Sequence, residues 1–261
     1  MGGKQMRKLG KLLVKSLTVL LLLGCIGFSW AYAQSEQDMS DLEQGKTLYF
    51  KGRNMYYNAE NTIDQIRATL GLSKESFAKL AESDQKYYWL SQVDFTLGEI
   101  SEVAGNKKEA AQEFSQSNRL AQKAIDYNDQ FSDAYRLLAD TYMRLLNYNG
   151  PLYTMSHGPE ALRMAKKAFK IDNHNYTALT SEGMYYISAP KVGGGNIKKG
   201  IATLEKALAS KDSFDRFIAH IWLGTAYLKE KNKTKALKHI QLAREIYPNS
   251  SWVKELLEQC N

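Results

Sequence analysis

IAHIWLGTAYLKEKNKTKALKHIQLAREIYP, residues 218–248, decides how this chain folds. Leu223-Gly224 is followed three residues on by Tyr227, then by Ala236, Ile240 and Ala243, and Pro248 closes the stretch. Gly224 and Ala236 are small because two antiparallel helices press together there. Leu223, Tyr227 and Ile240 fill the space between them, and Pro248 stops the second helix. A single hairpin of this kind cannot bury its apolar face alone, so one legible copy implies stacked neighbours.

The identities and spacings from Leu223 to Pro248 resemble the tetratricopeptide repeat, a helix hairpin of about 34 residues. That resemblance implies an all-α fold, a superhelical stack of antiparallel helix hairpins. Laid upstream, the same spacing finds three weaker copies. Leu179, Gly183 and Tyr186 pair with Gly200, Leu204 and Ala207. Tyr135, Leu138, Ala139 and Tyr142 pair with Ala161, Ala165 and Ala168. Leu97-Gly98 pairs with Ala110 and Phe114, although Asp94 and Ser101 stand where aromatic residues are expected. No alternating β pattern competes with this reading. The expected organisation is a leader at 1–33, an atypical helical cap at 34–90, about four repeats over 91–248, and a capping helix at 249–261.

Gly98, Ala139, Gly183 and Gly224 are 41, 44 and 41 residues apart, so each repeat carries an excess. The first excess extends a second helix, because Leu120, Ala121, Ala124 and Ile125 continue its spacing. The second is placed in a turn, Leu146 to Pro159, with Pro159 opening the next helix. The third is mostly the turn Pro190 to Asn196. Asn106 with Glu109 forms a capping-box pattern. Upstream, Leu42 to Tyr57, Thr62 to Leu70 and Ser73 to Ala81 are expected to be helical. Trp252, Val253, Leu256 and Leu257 form an apolar stripe fit to seal the last hairpin.

The N-terminus has the features of an export signal. Lys4, Arg7, Lys8, Lys11 and Lys15 precede the apolar Leu17 to Trp30, and Ala31-Tyr32-Ala33 is a cleavage pattern. The expected location is the periplasm. The alternative is a membrane-anchored lipoprotein, since Leu22-Leu23-Gly24-Cys25 resembles a lipobox and would lipidate Cys25. Five of the chain's 35 basic residues lie in this segment, so the remainder has 30 against 28 acidic. The high pI is therefore a property of the leader and gives no support to a nucleic-acid partner. Beyond the leader only Cys260 remains, either an idle tail residue or a thiol for interchain pairing.

Catalytic chemistry finds little foothold. His157, His174, His220 and His239 are scattered, without metal-ligand spacing. His220 and His239 fall on facing helices and are expected to form a plain histidine pair. Gly193-Gly194-Gly195-Asn196 lacks both the preceding strand and the ending of a phosphate loop. It is expected to be a turn with Asn196 capping the next helix. The chain is expected to be non-enzymatic, with no cofactor and no metal.

The repeat resemblance points instead to binding on the concave face, lined by the first helices. Residues projecting there are Gln92, Phe95 and Glu99, then Arg136, Asp140 and Met143, then Thr180, Met184 and Ile187, and finally Ile221, Thr225 and Leu228. Relatives that hold a chaperone's C-terminal carboxylate use a clamp of Lys and Asn, of which only the charge type of Arg136 has a counterpart here. The two inserted turns are the other candidate surface, through Tyr148, Tyr153, Pro190 and Asn196. The Pro190 to Asn196 insert, with the export signal, resembles exported bacterial repeat proteins associated with tripartite ATP-independent periplasmic transporters. That likeness implies a transporter component as one kind of protein partner, or a small apolar ligand in the groove.

Overall fold

A computed structural model describes residues 35–260, so the expected leader and Cys25 lie outside them. Eleven helices and one 3-10 turn follow one another with no strand among the described residues. They are α1 (35–58), α2 (Ile63–Lys79), α3 (Asp84–Val103), α4 (Lys107–Tyr127), α5 (Ser132–Leu145) and α6 (Pro151–Ile171). After these come α7 (Tyr176–Ser188), the 3-10 turn Lys191–Gly193, α8 (Ile197–Ala207), α9 (Ser213–Lys229), α10 (Lys233–Ile246) and α11 (Ser251–Glu258).

Consecutive helices pack as hairpins, α3 on α4, α5 on α6, α7 on α8 and α9 on α10. The small residues act as read from the sequence. A Cβ on Gly98 would stand 2.7 Å from the Phe114 ring, and one on Gly224 would stand 2.7 Å from Ile240. At Gly183 a Cβ would stand 2.6 Å from Leu204, and the backbones themselves come close, with the carbonyl of Gly200 3.2 Å from that position. The same device recurs upstream, where Gly45 faces Phe77 and Gly52 faces Leu70. Residues 35–79 are thus a fifth hairpin. Its second helix runs unbroken through Gly71, joining the two stretches that the sequence separates, because the half-buried Gly71 leaves the hydrogen-bond ladder intact.

Asp94 and Ser101 replace the aromatic residues of the repeat pattern with polar links to α2. Lys74 pairs with the buried Asp94, while Arg67 bonds Ser101 and Glu113. Burial raises the Asp94 carboxyl above its ordinary range, and Lys74 opposes that shift. Asn106 does precede α4, but its side chain makes no cap and instead donates to Glu109. The Glu109 carboxylate is also engaged by Arg67, 3.3 Å away.

The excess in the second repeat is helix and not turn. Pro151 occupies the first turn of α6, and Pro159 lies inside the helix. Proline removes one backbone donor. Nearby, Ser156 Oγ donates to the carbonyls of Leu152 and Tyr153, which gives this turn side-chain bonds as well. The 21-residue length of α4 matches the expected extension. At the end, α11 packs on α9 and α10, with Val253 and Leu256 buried. Cys260 is free and buried in the same apolar cluster, which withdraws it from interchain pairing.

Candidate functional site

The first helices of the five hairpins, α1, α3, α5, α7 and α9, surround a common space, and α1 closes the ring by touching the far end of the chain. Tyr57 on α1 is buried with its ring centroid 4.9 Å from Phe214 and 5.6 Å from Phe217. Tyr247 and Trp252 complete this cluster at 5.9 and 6.0 Å. The Arg53 guanidinium lies 3.9 Å over the Phe214 ring. Tyr247 donates to Asn54 Oδ1 at 2.8 Å, and Asn249 donates to Glu60 at 2.8 Å. α1 thus lies across part of the concave face and borders a partly open cavity of about 80 Å³.

Each helix supplies the cavity with residues one turn apart. Tyr49, Arg53 and Tyr57 come from α1, while Gln92, Phe95, Thr96 and Glu99 come from α3. Arg136, Asp140 and Arg144 come from α5, Thr177, Thr180, Ser181 and Met184 from α7, Phe214, Ile218 and Trp222 from α9, and Trp252 from α11. One wall is ionic. Arg136 donates to Asp140 at 3.2 Å, to Tyr88 at 3.2 Å and to Gln92 at 3.3 Å. Ser181 on α7 donates to the other oxygen of Asp140 at 2.6 Å, so this network ties three helices. Arg144 bonds Glu99 at 2.5 Å and Glu102 at 2.9 Å, and Tyr57 donates to Glu99 at 3.0 Å. Burial raises the carboxyls of Glu99 and Asp140, opposed chiefly by Arg144 and by Arg136 respectively. The facing wall is aromatic and aliphatic.

The structure brings Phe95, Arg136, Asp140 and Met184 together at this cavity. Ile221, Thr225 and Leu228 lie elsewhere on α9. Ile221 is buried in the core, Thr225 donates to its carbonyl at 3.0 Å, and Leu228 is half-buried against the same cluster. The lining register of α9 is set one residue away, by Phe214, Ile218 and Trp222. Residues of α1 were not anticipated, although Tyr49, Arg53 and Tyr57 already form a stripe at four-residue spacing.

The turn residues are engaged rather than free. Tyr148 donates to Glu102 at 2.8 Å and packs against Phe114. Tyr153 stacks on His157 at 3.9 Å. Asn196 caps α8 by accepting from Lys199 N at 3.0 Å, and Pro190 is an exposed lead into the 3-10 turn. Solvent instead meets Leu152 (84%), Met155 (75%) and Val192 (98%), the most exposed large apolar side chains among the described residues.

His220 and His239 do pair, Nδ1 to Nδ1 at 3.1 Å, with His239 stacked on Tyr227. No group of three or more metal-ligating residues occurs among the described residues. Burial, then His239 and Arg216, lowers the His220 pKa to about 4, and His239 is lowered as well. Below 6.5 the unfolded chain takes up protons that the folded pair refuses. Stability is thus complete above pH 6.5 and is lost as pH falls towards 4. Between pH 7.5 and 5 the expected loss is about 1 kcal/mol after allowance for partial solvation. Urea midpoints should show this loss in the parent chain and much less of it in His220→Gln.

No protein-family model and no curated protein matches this sequence. Among solved structures, the chain is similar to TTC0263, a thermophilic TPR protein of Thermus thermophilus. That likeness has 18% identity and a TM-score of 0.63, covering 85% of this chain and 98% of the other. It is also similar to YrrB, a TPR protein with an unusual peptide-binding site, at 14% identity and a TM-score of 0.39, covering 75% and 84%. This chain has the tetratricopeptide-repeat fold. Its five hairpins make it a solenoid whose two ends meet.

Proposed function

We propose that this protein is a non-enzymatic scaffold of the bacterial envelope that binds another protein along one edge of its ring. The observation that carries this reading is the exposure of Leu152, Met155 and Val192. The first two lie on the extended start of α6, and the 3-10 turn bearing Val192 packs against that helix. Solvent-exposed apolar residues concentrated on neighbouring segments are a mark of an interaction site. Exposed Lys191, Lys198 and Lys199 border the turn, so an apolar partner surface with an acidic rim fits best. Export is supported by the basic, apolar and Ala31-Tyr32-Ala33 pattern of the leader. Lipidation at Cys25 is the alternative that the mass of the mature N-terminus would distinguish. The resemblance of the Pro190 to Asn196 insert to transporter-associated proteins favours a transporter component as the partner.

The test is photo-crosslinking in cells from position 192, compared with position 72 on α2. A defined adduct from 192 that disappears in Leu152→Glu/Met155→Glu, with unchanged Tm, is the expected result. Equal crosslinking in parent and variant would sink the reading.

A further inference from the structure

The cavity at the centre of the ring has a chemistry that partner binding along the edge does not use. Three arginines, Arg53, Arg136 and Arg144, line it with two carboxylates, Glu99 and Asp140, and Glu102 pairs with Arg144 beside it. Arg136 and Arg144 are paired with those acids. Arg53 has no close ion pair among the described residues; it lies against the Phe50 and Phe214 rings at 4.9 and 3.9 Å, interacts with the Tyr247 hydroxyl and feels Asp215 at longer range. Buried hydrogen-bond donors are also in surplus. Nε of Arg53, Nε of Arg136 and Nε1 of Trp222 all lack a partner among the described residues, whereas every oxygen of Glu99 and Asp140 is engaged. Arg136 is 9% exposed. Met184, Phe214, Trp222 and Trp252 give the same cavity an apolar side, with Arg53 lying over Phe214.

We infer that the ring cavity binds a small anion with two unlike ends, a single carboxylate joined to a compact apolar group. A carboxylate accepts several hydrogen bonds and offers Arg53 the close ion pair that it lacks. The aromatic wall receives the apolar end. The volume, about 80 Å³, is far below the roughly 300–1,000 Å³ of drug-sized ligand sites. A peptide C-terminus offers the same carboxylate, and a short peptide probe separates it from a free small acid.

The probes are isovalerate, its neutral amide isovaleramide, and the tripeptide glycyl-glycyl-valine, titrated into the purified protein by calorimetry and tryptophan fluorescence at constant ionic strength. Saturable binding of isovalerate is expected, weakened by about tenfold or more for the amide and for Arg53→Gln. Trp222→Phe keeps the aromatic wall and removes one donor, so it should retain the fold and weaken the acid more than the amide. Binding of the amide as tightly as the acid, unchanged binding in Arg53→Gln, tight binding of the tripeptide, or no saturable binding of isovalerate would each overturn the inference.

Discussion

Tyr57→Ala is expected to lower the unfolding free energy by about 3–5 kcal/mol, the range for deleting a fully buried aromatic ring. Two costs combine. The ring leaves a void among Phe214, Phe217, Tyr247 and Trp252. Its hydroxyl also leaves Glu99, a buried carboxylate whose pKa burial already raises. Tyr57→Phe separates the two, since it removes only the hydrogen bond and should cost about 1–2 kcal/mol. The larger variant has a second signature. An open solenoid is stabilised by nearest neighbours alone. Here Tyr57 lies against residues nearly two hundred positions away, so its loss should release α1 and α11 together. Hydrogen exchange that speeds up at both ends, with a lower urea m-value, is the expected outcome. A loss below about 1 kcal/mol with protection unchanged would mean that ring closure contributes little to stability.

Arg136→Ala should be comparably costly, about 3–5 kcal/mol at pH 7, because it strands a buried partner charge. Asp140 would keep only Ser181 as a bonded partner, and its carboxyl, already raised by burial, would rise further without the guanidinium. A carboxyl raised in the folded state lets the folded chain bind the extra proton. The penalty is therefore absent below the unfolded pKa and grows as pH rises through the folded one. The variant should thus lie closest to the parent at low pH, as long as both remain folded, and furthest at neutral pH. Adding Asp140→Asn should recover much of the neutral-pH loss, a coupling that a double-mutant cycle on denaturation midpoints would read. Strict additivity would show that the pair acts independently.

The hairpins were legible because they are local. Gly98 under Phe114, Gly183 against Leu204 and Gly224 against Ile240 are contacts within about 20 residues, fixed by helix period and the space that glycine leaves. The extension of α4 was legible for the same reason. The start of α6 was not, since a proline at 159 normally signals a helix start, and only Pro151 in the first turn with helix on both sides of Pro159 reveals the longer element. At the candidate site, Arg136, Asp140, Phe95 and Met184 followed from the register of their helices. The α9 residues missed by one position, because which stripe of a helix faces inward depends on its rotation against neighbours.

From the sequence alone came the helices, their pairing into hairpins and the identity of the repeated fold, all governed by contacts between adjacent helices. Only the tertiary structure decided that α1 meets the far end of the stack across the concave face. Small rotations from one hairpin to the next add up over the stack, and no local residue pattern encodes their sum. That sum carries Tyr57 and Arg53 onto Phe214, Tyr247 and Trp252, narrowing an open groove to a small cavity lined by charged and aromatic side chains and leaving Leu152, Met155 and Val192 exposed outside it.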